Sequence, residues 1–320
     1  MLKRNIHKIF TFVILVSSSV FLFACDAVSS NNASQTRNVP HRFDGYKQAK
    51  VVGTISSDEI NESSGLTSSP CQPEVLWTHN DSGDKAFIYA LDKTGKKLAT
   101  FIVSGAENID WEDIAIRRDK TGACFLYLAD TGNNEQARSE LTIYKVREPK
   151  VDGSTNSSRK NPLSTERAEA IKFEYPDSRH DAETLLVHPE TGDIYIITKH
   201  LTDAAGIYKL KADYEPNKKQ KPKKIAEITV PAVPNGFLTG GAISFDGKSV
   251  VLCDYLAAYE LTLPKEAKNF DDIWNQKPQK IETGERKQGE AVTYSADDRA
   301  IYLTSEKKNS PLIMIERNRL

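Results

Sequence analysis

The sequence predicts an all-β fold, a β-propeller of five blades, each a four-stranded antiparallel sheet. Three observations carry this. Short runs rich in β-branched and aromatic residues, separated by turn residues, fill the chain from residue 48 onward, and helical periodicity is scarce. One unit recurs: a polar residue, an apolar strand, a turn, a second strand, then a third and usually a fourth. It is readable at residues 62–81, 112–132, 183–199, 239–254 and 290–306, and four-stranded repeats of this kind are propeller blades. The last unit runs out before a fourth strand, while an unassigned strand, residues 49–55 (AKVVGTI), precedes the first. Pairing the two closes the ring and removes both exposed edges. Two packed sheets are one competing arrangement. Six blades are the other, if residues 149–168 hide strands, but VDGSTNSSRKNPLSTER within them reads as a low-complexity loop.

Taken in order, the chain opens on Lys3, Arg4 and Lys8, followed by a largely apolar stretch over residues 9–23. That is the layout of an export signal, short for a membrane span. The stretch ends Leu22-Phe23-Ala24-Cys25 and resembles the bacterial lipobox, in which the cysteine is acylated and becomes the mature N-terminus. The resemblance implies lipidation at Cys25 and attachment to the cell membrane, facing the periplasm or the exterior, without a spanning helix. An ordinary cleaved signal that happens to hold a cysteine is the alternative. Asp26 resembles an inner-membrane retention signal. Residues 26–45 are polar and rich in Ser and Asn, which reads as a flexible tether, and residues 46–320 form the propeller domain.

The 43 basic and 44 acidic residues give a net charge of −1. No global field draws in nucleic acid, and a monomer is expected. Of the four cysteines, Cys71 and Cys124 occupy equivalent first-hairpin turns of consecutive units, so a disulfide between them is expected in an oxidising compartment. Cys253 lies in an apolar run and is expected to be a buried thiol.

In a propeller, the first strand of each blade lines the channel, and the loops after the second strands lie on the same face. The expected inner ring is Glu62 or Ser64, then Glu112, Glu183, Thr239 and Glu290. Around the mouth are expected His79, Asn80, Asp81 and Asp84; Asp130, Asn133 and Asn134; Lys199 and His200; Asp254; and Glu306. Carboxylates facing one another in a narrow channel repel unless something positive sits among them. Calcium fits, because it takes six to eight oxygens in loose geometry, with Ser64, Glu112, Glu183, Thr239 and Glu290 as candidate ligands. The alternative is that the glutamates cap strand ends. HNDSGD (79–84) and DTGNN (130–134) read as tight turns, and His188 belongs to a hairpin turn on the opposite face.

The order of channel positions, in SSGL, WEDIA, DAETL, LTGGA and QGEAV, resembles that of the five-bladed calcium-activated nucleotidases, or apyrases. It also resembles the wider phytase-like calcium propellers, and the segments HNDSG, DWEDIA and DTGNN resemble uncharacterised bacterial propeller lipoproteins. The nucleotidase likeness implies a central calcium held at the blade starts and calcium-dependent phosphohydrolase activity. Those enzymes surround phosphate with basic residues, and only Arg138, Arg179, His180, Lys199 and Lys307 are available on that face here. No P-loop, nucleophile elbow or paired-cysteine metal motif is present. The favoured function is therefore a membrane-anchored propeller whose mouth binds a cation and presents a surface to a small-molecule or protein ligand, with phosphohydrolysis second.

Overall fold

The computed structural model describes residues 45–152, 156–215, 218–231 and 236–318; Cys25, Asp26 and nearly all of the tether lie outside them. Strand β1 (Lys50–Ile55) is first in the chain and last in the ring. Blade one is β2 (Ser63–Ser68), β3 (Leu76–Asn80), β4 (Phe87–Leu91) and β5 (Lys97–Ile102). Blade two is β6 (Trp111–Arg118), β7 (Cys124–Asp130), β8 (Leu141–Arg147) and, after the two-residue β9 (Leu163–Ser164), β10 (Glu169–Phe173). Blade three is β11 (Ala182–Val187), β12 (Ile194–Thr198), β13 (Ala205–Leu210) and β14 (Lys223–Ile228). Blade four is β15 (Gly240–Ile243), β16 (Ser249–Cys253), β17 (Ala258–Thr262) and, after a 3-10 turn at Phe270–Asn275, β18 (Gln279–Ile281). Blade five is β19 (Gly289–Tyr294), β20 (Ala300–Ser305) and β21 (Ser310–Glu316), completed by β1.

Five blades are therefore observed. The described residues of the 149–168 segment form no sixth, but they are not a featureless loop either: β9 runs parallel to β5 and widens blade one. From the same segment, Arg159 reaches back to pair with Asp84 at 3.0 Å and to donate to the Tyr89 hydroxyl at 2.8 Å. Two residues carry no periodicity, which is why sequence pattern does not show this strand.

Each inner strand packs on the next around β2, β6, β11, β15 and β19, and β19 packs back on β2. The apolar side chains divide into five clusters, one at each blade interface. Trp77, Ile88, Ile114 and Leu126 join blades one and two; Ile143, Leu185 and Ile196 join two and three; Tyr195, Leu252 and Tyr259 join three and four. Val251, Val292 and Ile313 join four and five, and Ile55, Leu66, Leu76 and Leu312 join five back to one. Strand alternation explains the division: Val251 and Leu252 are neighbours in β16 yet serve opposite interfaces.

β1 pairs antiparallel with β21, Ile55 opposite Ser310 and Lys50 opposite Met314, and Tyr46 bridges Arg317. The chain thus joins the ring on the face opposite the starts of the inner strands. Removing residues through 55 bares the β21 edge and strips buried Ile55 from the last interface. The truncated protein should lose more than roughly 3 kcal/mol and aggregate; unchanged melting in a soluble truncated monomer would contradict the closure. Cys71 and Cys124 form the expected disulfide, with Cα atoms 6.2 Å apart, and Cys253 is a buried free thiol.

Candidate functional site: the acidic channel mouth

The expected inner-ring residues occupy a shared structural position. In β2, β6, β11 and β19 the pairing with the second strand slips by one residue, and the residue left over is Ser64, Glu112, Glu183 and Glu290 respectively. A β-bulge leaves its extra residue unpaired and re-aims the side chain, so four blades use one device to turn a polar group out of the ladder. Blade four differs: Thr239 stands just ahead of β15, with its N–H donating to Cys253 O at 2.9 Å. Glu112, Glu183 and Glu290 are each at most 5% exposed.

Immediately ahead of the bulge, backbone bonds of similar length tie the blade start to the end of the second strand. Asp81 N–H donates to Glu62 O, Gly132 N–H to Asp110 O, Lys199 N–H to Asp181 O, and Glu306 N–H to Gln288 O, at 3.0–3.1 Å. This ladder rung holds Asp81, Asp110, Asp181, Lys199 and Glu306 around the mouth. One carboxylate oxygen each from Asp81, Asp110 and Glu112 lies within 4.8 Å of the others. Gly132 makes the approach possible, since a Cβ there would stand 2.2 Å from Glu112 Oε1 and 2.3 Å from Asp110 Oδ2. Neither the Glu112 nor the Glu290 carboxylate makes a hydrogen bond or ion pair among the described residues.

The electrostatics follow from burial and crowding. Burial raises the Glu112 pKa well above the usual carboxylate range, and Glu183, Asp81 and Asp110 push the same way. Burial raises Glu290 as well, with Glu183 and Glu306 adding to it. Asp110 is pushed up to about 6 by burial, Asp81 and Asp181. Burial also raises Asp81, Asp181 and Glu306.

Against this stands one ammonium. Lys199 pairs with Glu183, and its Nζ sits 4.5 Å from the ring centre of Phe237 and 5.7 Å from that of Tyr255. Burial opposes its charge, but Glu183 outweighs burial and its pKa is raised. Of the other basic side chains expected on this face, Lys307 is exposed beside Glu306, and the remaining three are committed elsewhere. Arg138 pairs with Asp130 at 2.9 Å and donates to Gly132 O, while Arg179 donates to Gln136 O and Ala137 O. His180 contacts the Tyr208 hydroxyl at 2.9 Å and Asp177 at 3.1 Å.

Several expected site residues are spent on structure. The Ser64 hydroxyl donates to Glu112 O at 3.0 Å and Thr239 to Gly289 O at 2.8 Å, pinning blade one to two and four to five. Asp254 accepts from Leu256 N–H, Ala257 N–H and the Tyr259 hydroxyl, all within 2.8 Å, and so closes its turn. Asn80 accepts from the N–H groups of Asn61 and Glu62 and donates to Glu59 O. Asp130 is buried behind Arg138, Asn134 is exposed on the loop beyond buried Asn133, and Glu62 is exposed outside the ring. HNDSGD ends β3 and turns at Ser82–Gly83, while DTGNN ends β7 and reaches a turn only at Asn134. His188 is buried in the β11–β12 turn on the far face, accepting from Thr191 N–H.

Sequence reasoning missed Asp110, Asp181 and Asp113. The first two have a readable signal, an Asp two residues ahead of the channel glutamate in DWE and DAE. Asp113 is buried below the mouth and accepts from Leu185 N–H at 2.9 Å and its own neighbour Ile114 N–H at 2.8 Å, linking blades two and three. Lower still, side chains that include Ile114, Ile116, Leu185 and Val187 leave a void of about 20 Å³. The mouth is thus a cup with an apolar floor. No family model matches the chain, and no curated protein matches it.

Proposed function

We propose that this chain is an exported lipoprotein, anchored through Cys25, whose cup binds a hard divalent cation, calcium, and presents a ligand-binding surface around it. One observation carries the cation: three carboxylates of blades one and two converge within 4.8 Å, and the deepest, Glu112, has no protein partner among the described residues. Hard oxygen donors of this kind suit calcium, and uncompensated buried carboxylates favour any cation that relieves them. Asp81, Asp110 and Glu112 are the ligands this reading favours. Glu183 is answered by Lys199, and the Ser64 and Thr239 hydroxyls point their protons at backbone carbonyls.

Binding is favoured over phosphohydrolysis because Arg138 and Arg179 are tied to backbone carbonyls and Lys199 to a carboxylate. Of the basic residues expected on this face only Lys307, a single exposed ammonium, is left uncommitted among the described residues. The lipoprotein reading rests on the Cys25 motif, and the ring is joined from the face opposite the cup.

Two measurements test this. Elemental analysis of protein purified without chelator should find about one calcium per chain, lost in Glu112→Gln, and a phosphate-release screen should stay silent with calcium and without. Cys25→Ser should abolish lipid labelling and move the protein to the soluble fraction; a variant that stays membrane-bound at its normal level removes the anchor.

A further inference from the structure

Four large hydrophobic residues are strongly exposed among the described residues, and three of them ring the cup: Ile109, Leu201 and Leu256, at 55%, 64% and 60% exposure. Ile109 immediately precedes Asp110 on blade two, Leu201 follows Lys199 and His200 on blade three, and Leu256 follows Tyr255 on blade four. Single exposed leucines are ordinary on a protein surface, but three on successive blades of one mouth form a rim. Inside it lies an aromatic pair, Phe237 and Tyr255, edge to face at 4.8 Å and half-buried. Beside the Asp81, Asp110 and Glu112 trio, blade five, which adjoins blade one, supplies Glu290. It is 3% exposed and makes no hydrogen bond or ion pair among the described residues. Glu306, which accepts from Gln288 Nε2 at 2.8 Å, stands beside it.

We propose that the mouth docks a polypeptide segment in which apolar side chains flank a lysine or arginine, the basic group reaching Glu290 and Glu306 and the apolar residues covering Ile109, Leu201 and Leu256. Charge complementarity selects the cation, because even with calcium on the trio and Lys199 on Glu183, buried Glu290 has no ion pair among the described residues. The spread of the rim selects a polypeptide, because one ligand must cross the mouth to touch three blades. An arginine anchor ringed by contacts that exclude water is one way such interfaces gain their energy. The inference rests on the cup being a binding mouth, and it needs no calcium at Glu290.

The test is a peptide array of acetylated peptides of about nine residues, the central residue fixed as Arg, Lys, Gln or Glu and the flanks varied, probed with the purified domain. Arginine and lysine centres with Leu, Ile or Phe flanks should be enriched, with and without calcium. Glu290→Gln should weaken the best peptide at least roughly tenfold, and Leu201→Ser with Leu256→Ser several-fold. Glu290→Gln should keep the calcium-induced rise in melting temperature, which separates this site from the trio. Four results overturn the proposal: Gln centres that bind as well as Arg, no enrichment over Glu290→Gln, lysine amide binding as tightly as the best peptide, or phosphatidylglycerol vesicles binding in preference to peptides. Peptide binding without any calcium response would retain the docking and remove the cation reading alone.

Discussion

Removing the Cys71–Cys124 bond is expected to cost about 4 kcal/mol. The bond joins the first-hairpin turns of blades one and two across 53 residues, and closing a loop of that length restricts the unfolded chain by about that amount. For a domain of this size the loss corresponds to a fall in melting temperature of roughly 8–16 °C. Cys71→Ser combined with Cys124→Ser tests it by urea denaturation, since neither site touches the cup. The turn geometry supports the bond independently: Gln72 Nε2 donates to Pro149 O and its Oε1 accepts from Val151 N–H, so blade one already grips the segment after blade two. A double variant within about 1 kcal/mol of the parent would mean the interface holds the turns without the bond.

The second large effect is on pH and cation. A carboxyl whose pKa is raised in the folded state holds its proton more tightly there than in the unfolded chain. In the cation-free protein the mouth carboxyls therefore contribute most stability below about 4, the ordinary range, and that contribution should be lost as pH rises through about 6, where Asp110 ionises. Glu112 and Glu290 extend the loss to higher pH, because burial and their neighbours raise both. Calcium must displace those protons, so its stabilisation should be negligible near pH 4 and grow through pH 6 to 8. At a concentration one hundred times its dissociation constant, a ligand that binds only the native state adds about 2.7 kcal/mol. The melting temperature at pH 8 should then rise by roughly 5–10 °C. Glu112→Gln should flatten the calcium response.

Much of the ring was legible because hairpins repeat visibly. The five starts, the strand at 49–55 that completes the last blade, and the pairing of Cys71 with Cys124 all follow from units laid in register. The chemistry of the mouth was legible only by residue type. An extra residue in a strand does not interrupt an apolar run, so nothing in WEDIA or DAETL reveals that Glu112 and Glu183 are bulged out of their ladders. Whether an oxygen is free is also invisible in sequence. Asp254 and Asp81 both follow a second strand, yet Asp254 spends its oxygens on its own turn while Asp81 joins the trio. Ser64 and Thr239 are where the pattern puts them, but each hydroxyl serves as a pin between blades.

The central claim is that Asp81, Asp110 and Glu112 hold one calcium ion. Isothermal titration of calcium into chelator-treated protein at pH 8 tests it most directly, beside Glu112→Gln and, as a control remote from the cup, Lys248→Gln. One site per chain, with proton release on binding, lost in Glu112→Gln and intact in Lys248→Gln, is the expected result. Absence of binding heat in the parent, together with melting unmoved by millimolar calcium, would contradict it.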